Sequence, residues 1–143
     1  MTPGRYFKTS DGLEESYQAN HLSHFLLTLL LLPVFSQHSR IVNVASYLHY
    51  HGTMDPDDID RSAFSDGKLS RNSGVTDPYQ RDQIVTPGLY DDAKLSQVAF
   101  ARELQIRLDA SEKYAAKKII ASSCHPGVVK VGFPPSSGAT TEY

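Results

Sequence analysis

Tyr90 and Lys94 stand four residues apart near the start of a helical pattern, which places a phenol and an ammonium on one helical face. A phenol is a weak proton donor near neutrality, and a cation beside it stabilises the phenolate, so the pair can serve as a general acid/base. Ser46 closes the β-branched run Ile41-Val42-Asn43-Val44-Ala45-Ser46. A second run, Ile119-Ile120-Ala121-Ser122-Ser123-Cys124, is broken by His125-Pro126-Gly127. Ligands of open α/β sheets bind beyond the carboxyl ends of the strands, where Ser46 and the 125–127 turn would lie. Asn20 sits in mid-helix, where Asn is disfavoured, and so needs a reason of its own: backbone bonding at a kink, or a place in the site.

Spacing alone is a weak signal, since this composition produces a Tyr-x-x-x-Lys match about 0.4 times by chance. A second match, Tyr114 with Lys118, has no Ser-bearing strand end positioned to meet it and reads as a decoy. Without further context Tyr90 and Lys94 would be a surface pair, the ring resting on the lysine stem. His21, His24, His49 and His51 lack a carboxylate or Cys at ligand spacing, so no metal site is expected.

The elements that must position these groups follow from pattern. Residues 11–32 read as a helix, with Ser10 or Asp11 as N-cap, Glu14 and Glu15 in the first turn and Pro33 as the stop. Its second half is apolar nearly all round, which predicts burial on more than one side, either under a sheet or against another chain. The runs ending at Ser46 and Cys124 read as buried parallel strands. Between them a helix from Tyr90 to about Leu108 carries Leu95, Val98, Ala99, Ala101, Leu104 and Leu108 at helical spacing, with Arg102, Glu103 and Arg107 mostly opposite. Strand, helix, strand predicts a right-handed parallel crossover. Residues 52–88 show no sustained periodicity and read as a long loop or insertion. The fold class is α/β: a partial, Rossmann-like parallel sheet of two evident strands flanked by long helices. That is too little sheet for an independent doubly wound domain, so residues 1–143 read as one partial domain.

Composition narrows the function classes. The 143 residues carry 14 Lys and Arg against 16 Asp and Glu, a formal charge of −2, so no basic field steers the chain to nucleic acid. The lone Cys124 closes no intrachain disulfide, and a reducing, cytoplasmic setting is expected. The apolar stretch from Phe25 to Phe35 is interrupted by Thr28 and Pro33 and is shorter than the roughly 20 residues of a transmembrane helix. Met1 leads into Thr2-Pro3-Gly4-Arg5 without a charged and then apolar leader, so secretion is not expected.

Taken in order, Asp11-Gly12-Leu13-Glu14, Asn20 through Thr28, Arg40 through Ser46, Tyr90 through Leu95, Phe100-Ala101-Arg102-Glu103-Leu104 and His125-Pro126-Gly127 resemble the short-chain dehydrogenase/reductase family, in particular its retinol-dehydrogenase-like and WW-domain-oxidoreductase-like branch. That resemblance implies hydride transfer between NAD or NADP and a secondary alcohol or carbonyl. It implies Tyr90 as the general acid/base, and Lys94 as the cation that assists it and holds the nicotinamide ribose. Ser46 would bond the substrate oxygen, and Asn20 would position a water that links Lys94 to solvent. Pro126 and Gly127 would pass beside the nicotinamide. Substrates of the branch, lipophilic alcohols and ketones such as retinoids and steroids, are an analogy.

The chain also departs from the family pattern. The Gly-rich phosphate turn, the residue that reads the adenosine ribose and the Asn-Ala-Gly turn have no counterpart in these residues, which start about where the family's fourth strand ends. Val131 stands where a Thr commonly bonds the carboxamide, and Gly138 through Tyr143 look like a helix start that normally follows a substrate loop. An incomplete enzyme, weak or inactive alone, is therefore expected. The alternative is a non-catalytic interaction module, pairing with itself or a full-length relative through helices 12–32 and 90–108, which commonly form the family's dimer interface.

Overall fold

The computed structural model describes residues 7–55, 57–58 and 88–127. Most of the predicted 52–88 loop, Val131 and both chain ends, including Met1–Gly4 and Gly138–Tyr143, lie outside the described residues. Along the chain run α1 (Glu15–Tyr17), a π turn (Gln18–Leu22), α2 (Ser23–Leu31), a 3₁₀ turn (Leu32–Val34), β1 (Arg40–Val44), a second 3₁₀ turn (Tyr47–His51), α3 (Leu89–Ala110), α4 (Glu112–Ala115) and β2 (Ile120–Cys124).

The first helix begins later than its sequence suggests. Gly12, at φ +81°, turns the chain so that the Thr9 N–H donates to the Leu13 carbonyl, the Leu13 N–H donates to Thr9 Oγ1 and the backbones of Lys8 and Glu14 pair antiparallel, which leaves Ser10 and Asp11 in a turn. Glu14 caps instead: its buried carboxylate accepts from the backbone N–H groups of Ser16 (2.9 Å) and Tyr17 (2.6 Å). One turn on, Asn20 Nδ2 donates to the Ser16 carbonyl at 2.9 Å, taking an acceptor that an α-helix reserves for a backbone N–H. The backbone answers with a π turn, in which Ser23 N–H donates to the Gln18 carbonyl five residues back. Pro33 enters a closing 3₁₀ turn, and Lys117 Nζ bonds the Phe35 carbonyl at 2.7 Å, a cation at the C-terminal end of the helix.

Strands β1 and β2 pair in parallel, Arg40 opposite Ile120 and Val44 opposite Cys124, with α3 between them in the chain. The core lies between α3 and one sheet face: Ile41, Leu104, Leu108, Ile119 and Ala121, with Leu32, Phe35, Phe100 and Tyr114 around it. Gln105 Oε1 accepts from the Ala121 N–H at 2.7 Å, so a helix side chain satisfies a strand group that pairing with β1 does not. The other sheet face, with Val42, Val44 and Ile120, is exposed.

Two expectations need correcting. Among the described residues α2 is not buried under a sheet: of its residues only Thr28 is buried, and Leu26, Leu27 and Leu30 are exposed, while Phe25 meets Phe100 of α3. In α3 the buried residues of the second half, Ala101, Leu104 and Leu108, are all apolar; in the first half Leu89 and Ala93 share the buried side with Asp92, Lys94, Ser96 and Gln97. Leu95, Val98 and Ala99 are half-buried. The N-terminal half of α3 meets turns instead of sheet, and turns present backbone groups that polar side chains satisfy.

Candidate active site

Two residues of close packing bring the segment after β1 onto the first turns of α3. Gly52 sits against the helix so tightly that a Cβ there would lie 2.5 Å from the Asp91 carbonyl oxygen and 2.9 Å from Leu95 Cβ. Beside it Asp92, fully buried, accepts from the Thr53 N–H at 2.5 Å through Oδ1, pinning the loop to the helix. This docking places Tyr90 and Lys94 beside the carboxyl end of β1.

Lys94 is the centre of the arrangement. Its ammonium donates to the Val44 carbonyl (2.8 Å), two residues before Ser46, and to Gln97 Oε1 (3.2 Å). Its Nζ lies 5.4 Å from the centroid of the Tyr90 ring. Only 8% of Lys94 is exposed, and burial holds its ammonium below the usual lysine range. No carboxylate bonds it among the described residues, so its charge is left to act on the phenol.

Ser46 is half-buried and caps the 3₁₀ turn, its Oγ accepting from the Leu48 N–H at 3.2 Å, which leaves the hydroxyl proton free to donate. No hydrogen bond joins Ser46 and Tyr90 directly. His49 returns to the same residue, Nδ1 at 2.6 Å from the Ser46 carbonyl. Pro126 and Gly127 leave β2 at the same sheet end, exposed, with Gly127 at φ +78°. The preceding His125 packs edge-on against Tyr47, ring centroids 6.2 Å apart, which ties this turn to the segment after Ser46.

Asn20 reaches the site by its backbone. Its side chain turns back to Ser16, and its carbonyl accepts from Gln97 Nε2, so a carboxamide stands between Asn20 and Lys94. Of the two reasons weighed for Asn20, the kink is what its side chain shows, and what faces Gln97 is its backbone carbonyl. Sequence reasoning passed over Gln97, although a Gln at the (i, i+4, i+7) positions shared with Ala93, Ala101 and Leu104 was a visible anomaly. Asp92 and Gly52 carried no such signal. Asp91 beside them is raised from 3.8 to about 6, by burial first and by Asp92, with His51 opposing.

The decoy pair separates. Lys118 takes a left-handed φ of +51° beyond the end of α4, and the cations over the Tyr114 ring are those of Lys113 (5.1 Å) and Lys117 (5.8 Å). Among the described residues no group of three His, Cys, Asp or Glu is placed to hold a metal, and no helix is long and apolar enough to cross a membrane.

A parallel βαβ unit with polar groups gathered at its carboxyl end defines the class: an α/β protein with a Rossmann-like sheet. Comparison with solved structures agrees. A crystal structure of an uncharacterized protein from Mycobacterium paratuberculosis superposes with a TM-score of 0.63 at 30% identity, covering 89% of this chain and 38% of that one. No family model matches the chain. Among curated proteins it is similar to human retinol dehydrogenase 13, 33% identical over 127 residues, covering 87% of this chain and 31% of that protein. Human retinol dehydrogenase 12 is 35% identical over 127 residues (87% and 32%), and mouse polyprenol dehydrogenase 36% over 129 residues (85% and 31%). The chain is a homologue of the retinol dehydrogenases of the short-chain dehydrogenase/reductase family and spans about a third of the length of these relatives.

Proposed function

We propose that the chain carries the proton-transfer centre of an NAD(P)-dependent oxidoreductase acting on a lipophilic alcohol or ketone. The observation that carries this reading is Lys94: a buried ammonium, unneutralised by any described carboxylate, tied to the end of β1 and lying against the Tyr90 ring. Tyr90 gives its proton to the oxygen of a carbonyl being reduced, and takes one from an alcohol being oxidised. Lys94 stabilises the phenolate that results, and the free hydroxyl proton of Ser46 bonds the reacting oxygen.

The nicotinamide, when bound, supplies or takes the hydride. The donor set fits its ribose end: two of the three Lys94 N–H groups are committed to Val44 and Gln97, and one remains for a ribose hydroxyl. Pro126 and Gly127, exposed at the same sheet end with nothing within 4 Å of a Cβ at Gly127, would offer open backbone to the nicotinamide. No described residue is assigned to the adenosine or pyrophosphate, so NAD and NADP are not distinguished. The names of the relatives, retinol and polyprenol dehydrogenase, supply the substrate class by analogy.

The reading is tested with reduced nicotinamide mononucleotide, which lacks the adenylate. Titrated into the full chain, it should shift the NMR signals of Tyr90, Lys94, Ser46 and Gly127 saturably, and Lys94→Ala should abolish the response. No shift at any of the four up to about millimolar ligand, where binding is worth only about 4 kcal/mol, would refute the proposal.

A second reading, an interaction module, is favoured by one observation: Leu26, Leu27, Leu30 and Val34 leave a contiguous apolar run exposed on and just after α2. A monomeric mass by light scattering at about 100 μM would count against self-pairing, since an interface of even modest affinity is populated there.

A further inference from the structure

Lys94, Gln97 and Asn20 form a chain of bonds that crosses from α3 to the π turn. Gln97 is 3% exposed and spends both ends of its carboxamide in this bridge: Oε1 accepts from Lys94 Nζ at 3.2 Å, and Nε2 donates to the Asn20 carbonyl. His24 Nδ1 stands at the same junction, 3.0 Å from the Asn20 carbonyl and 3.3 Å from Gln97 Nε2. The groups around the ammonium are therefore the Val44 carbonyl, the Gln97 amide and the Tyr90 ring, with His24 the titratable group one bond further out.

We propose that Gln97 is a positioning residue, which locks Lys94 to the π turn at Asn20 and makes the lysine a fixed charge under Tyr90. The three-residue offset from Lys94 to Gln97 puts the carboxamide on the same face, one turn further into the protein. The π turn brings the Asn20 carbonyl within reach, which couples the distortion in the first helix to the geometry of the second. A carboxamide holds a cation in place without titrating, so this bridge orients the Lys94 charge and passes no proton. Without Gln97 the ammonium would keep one bond, to Val44, and a flexible four-carbon stem could swing it off the phenol.

The role in catalysis rests on the reading of Tyr90 and Lys94 given above, whereas the test needs neither nucleotide nor turnover. The titration of Lys94 is followed in the full chain by NMR of the lysine Cε and Nζ, for the native protein, Gln97→Leu and Gln97→Glu. Loss of the acceptor in Gln97→Leu removes a bond made to the charged form and should move the Lys94 midpoint down by on the order of half a unit. A carboxylate in Gln97→Glu should move it up by about one unit or more. Opposite shifts are the signature of a direct bond, because a merely structural role would weaken both variants without opposing titrations.

Equal midpoints in all three folded proteins would overturn the proposal. Should either variant fail to fold, the native protein decides. The Gln97 carboxamide protons should show a through-space contact with the Lys94 ε-methylene and exchange with water at least about tenfold more slowly than those of the exposed Gln37. Exchange at the Gln37 rate with no such contact would equally overturn it. Failure of these measurements while the mononucleotide still binds would remove Gln97 alone; success with no nucleotide response would leave the bridge standing and remove the oxidoreductase reading.

Discussion

The site turns on single residues whose environment sets their charge. Asp91 is raised from 3.8 to about 6, chiefly by burial. A folded-state value above the unfolded one means a contribution to stability that is present below about 3.8 and lost as pH rises through about 6. Urea midpoints measured between about pH 4 and about pH 7 should fall with this group's titration, and Asp91→Asn should flatten that part of the profile. An unchanged profile in the variant would assign the titration elsewhere. Gly52 is a packing counterpart: a Cβ would lie 2.5 Å from the Asp91 carbonyl oxygen, which rigid backbone cannot yield. Gly52→Ala should cost about 1–3 kcal/mol by pushing the 3₁₀ segment off α3, seen as a lower denaturation midpoint. Tyr90 and Lys94 were readable at this scale because a four-residue offset needs only a helix. Gln97 was not given a role, since its partner Asn20 is 77 residues away along the chain.

At the scale of elements, α3 is two helices in function. Its second half buries Leu104 and Leu108 against the sheet, while its first half spends Asp92, Ser96 and Gln97 on backbone and side-chain groups of the turns and of the first helical segment. Leu108, 2% exposed, carries the apolar half: Leu108→Ala should cost about 2–5 kcal/mol in thermal or denaturant unfolding. Leu30→Gln on α2, at 67% exposed, should change stability by less than about 0.5 kcal/mol. A cost at Leu30 comparable to that at Leu108 would mean that α2 is covered by something beyond the contacts seen here. The strands and α3 were legible within a residue or two from their apolar periods. The helix start at Glu15 was not, because Ser10 and Asp11 satisfy every rule for an N-cap and lose only to the turn that Gly12 closes.

Taken together, the described residues pack a core on one face of a two-stranded sheet and leave apolar groups of the other face exposed. Val42, Val44 and Ile120 on the sheet and Leu26, Leu30 and Val34 at the first helix are exposed apolar groups. Such surface should bind a hydrophobic dye such as anilinonaphthalene sulfonate in the native state, and Val42→Thr with Leu30→Gln should reduce that fluorescence without lowering the unfolding midpoint. Undiminished fluorescence would place the dye elsewhere.

What lay in the residues alone was the α/β class, the parallel strand pair, the helix between them and the Tyr90–Lys94 pair, because each rests on local period or on offsets within one helix. Folding decided the rest: that Glu14 and not Asp11 caps, that the Asn20 side chain bends its helix while its carbonyl accepts from Gln97, and that Gln97 bridges that carbonyl and the buried ammonium. These depend on groups far apart in the chain competing for the same few acceptors, and only the packed backbone determines which competitor arrives.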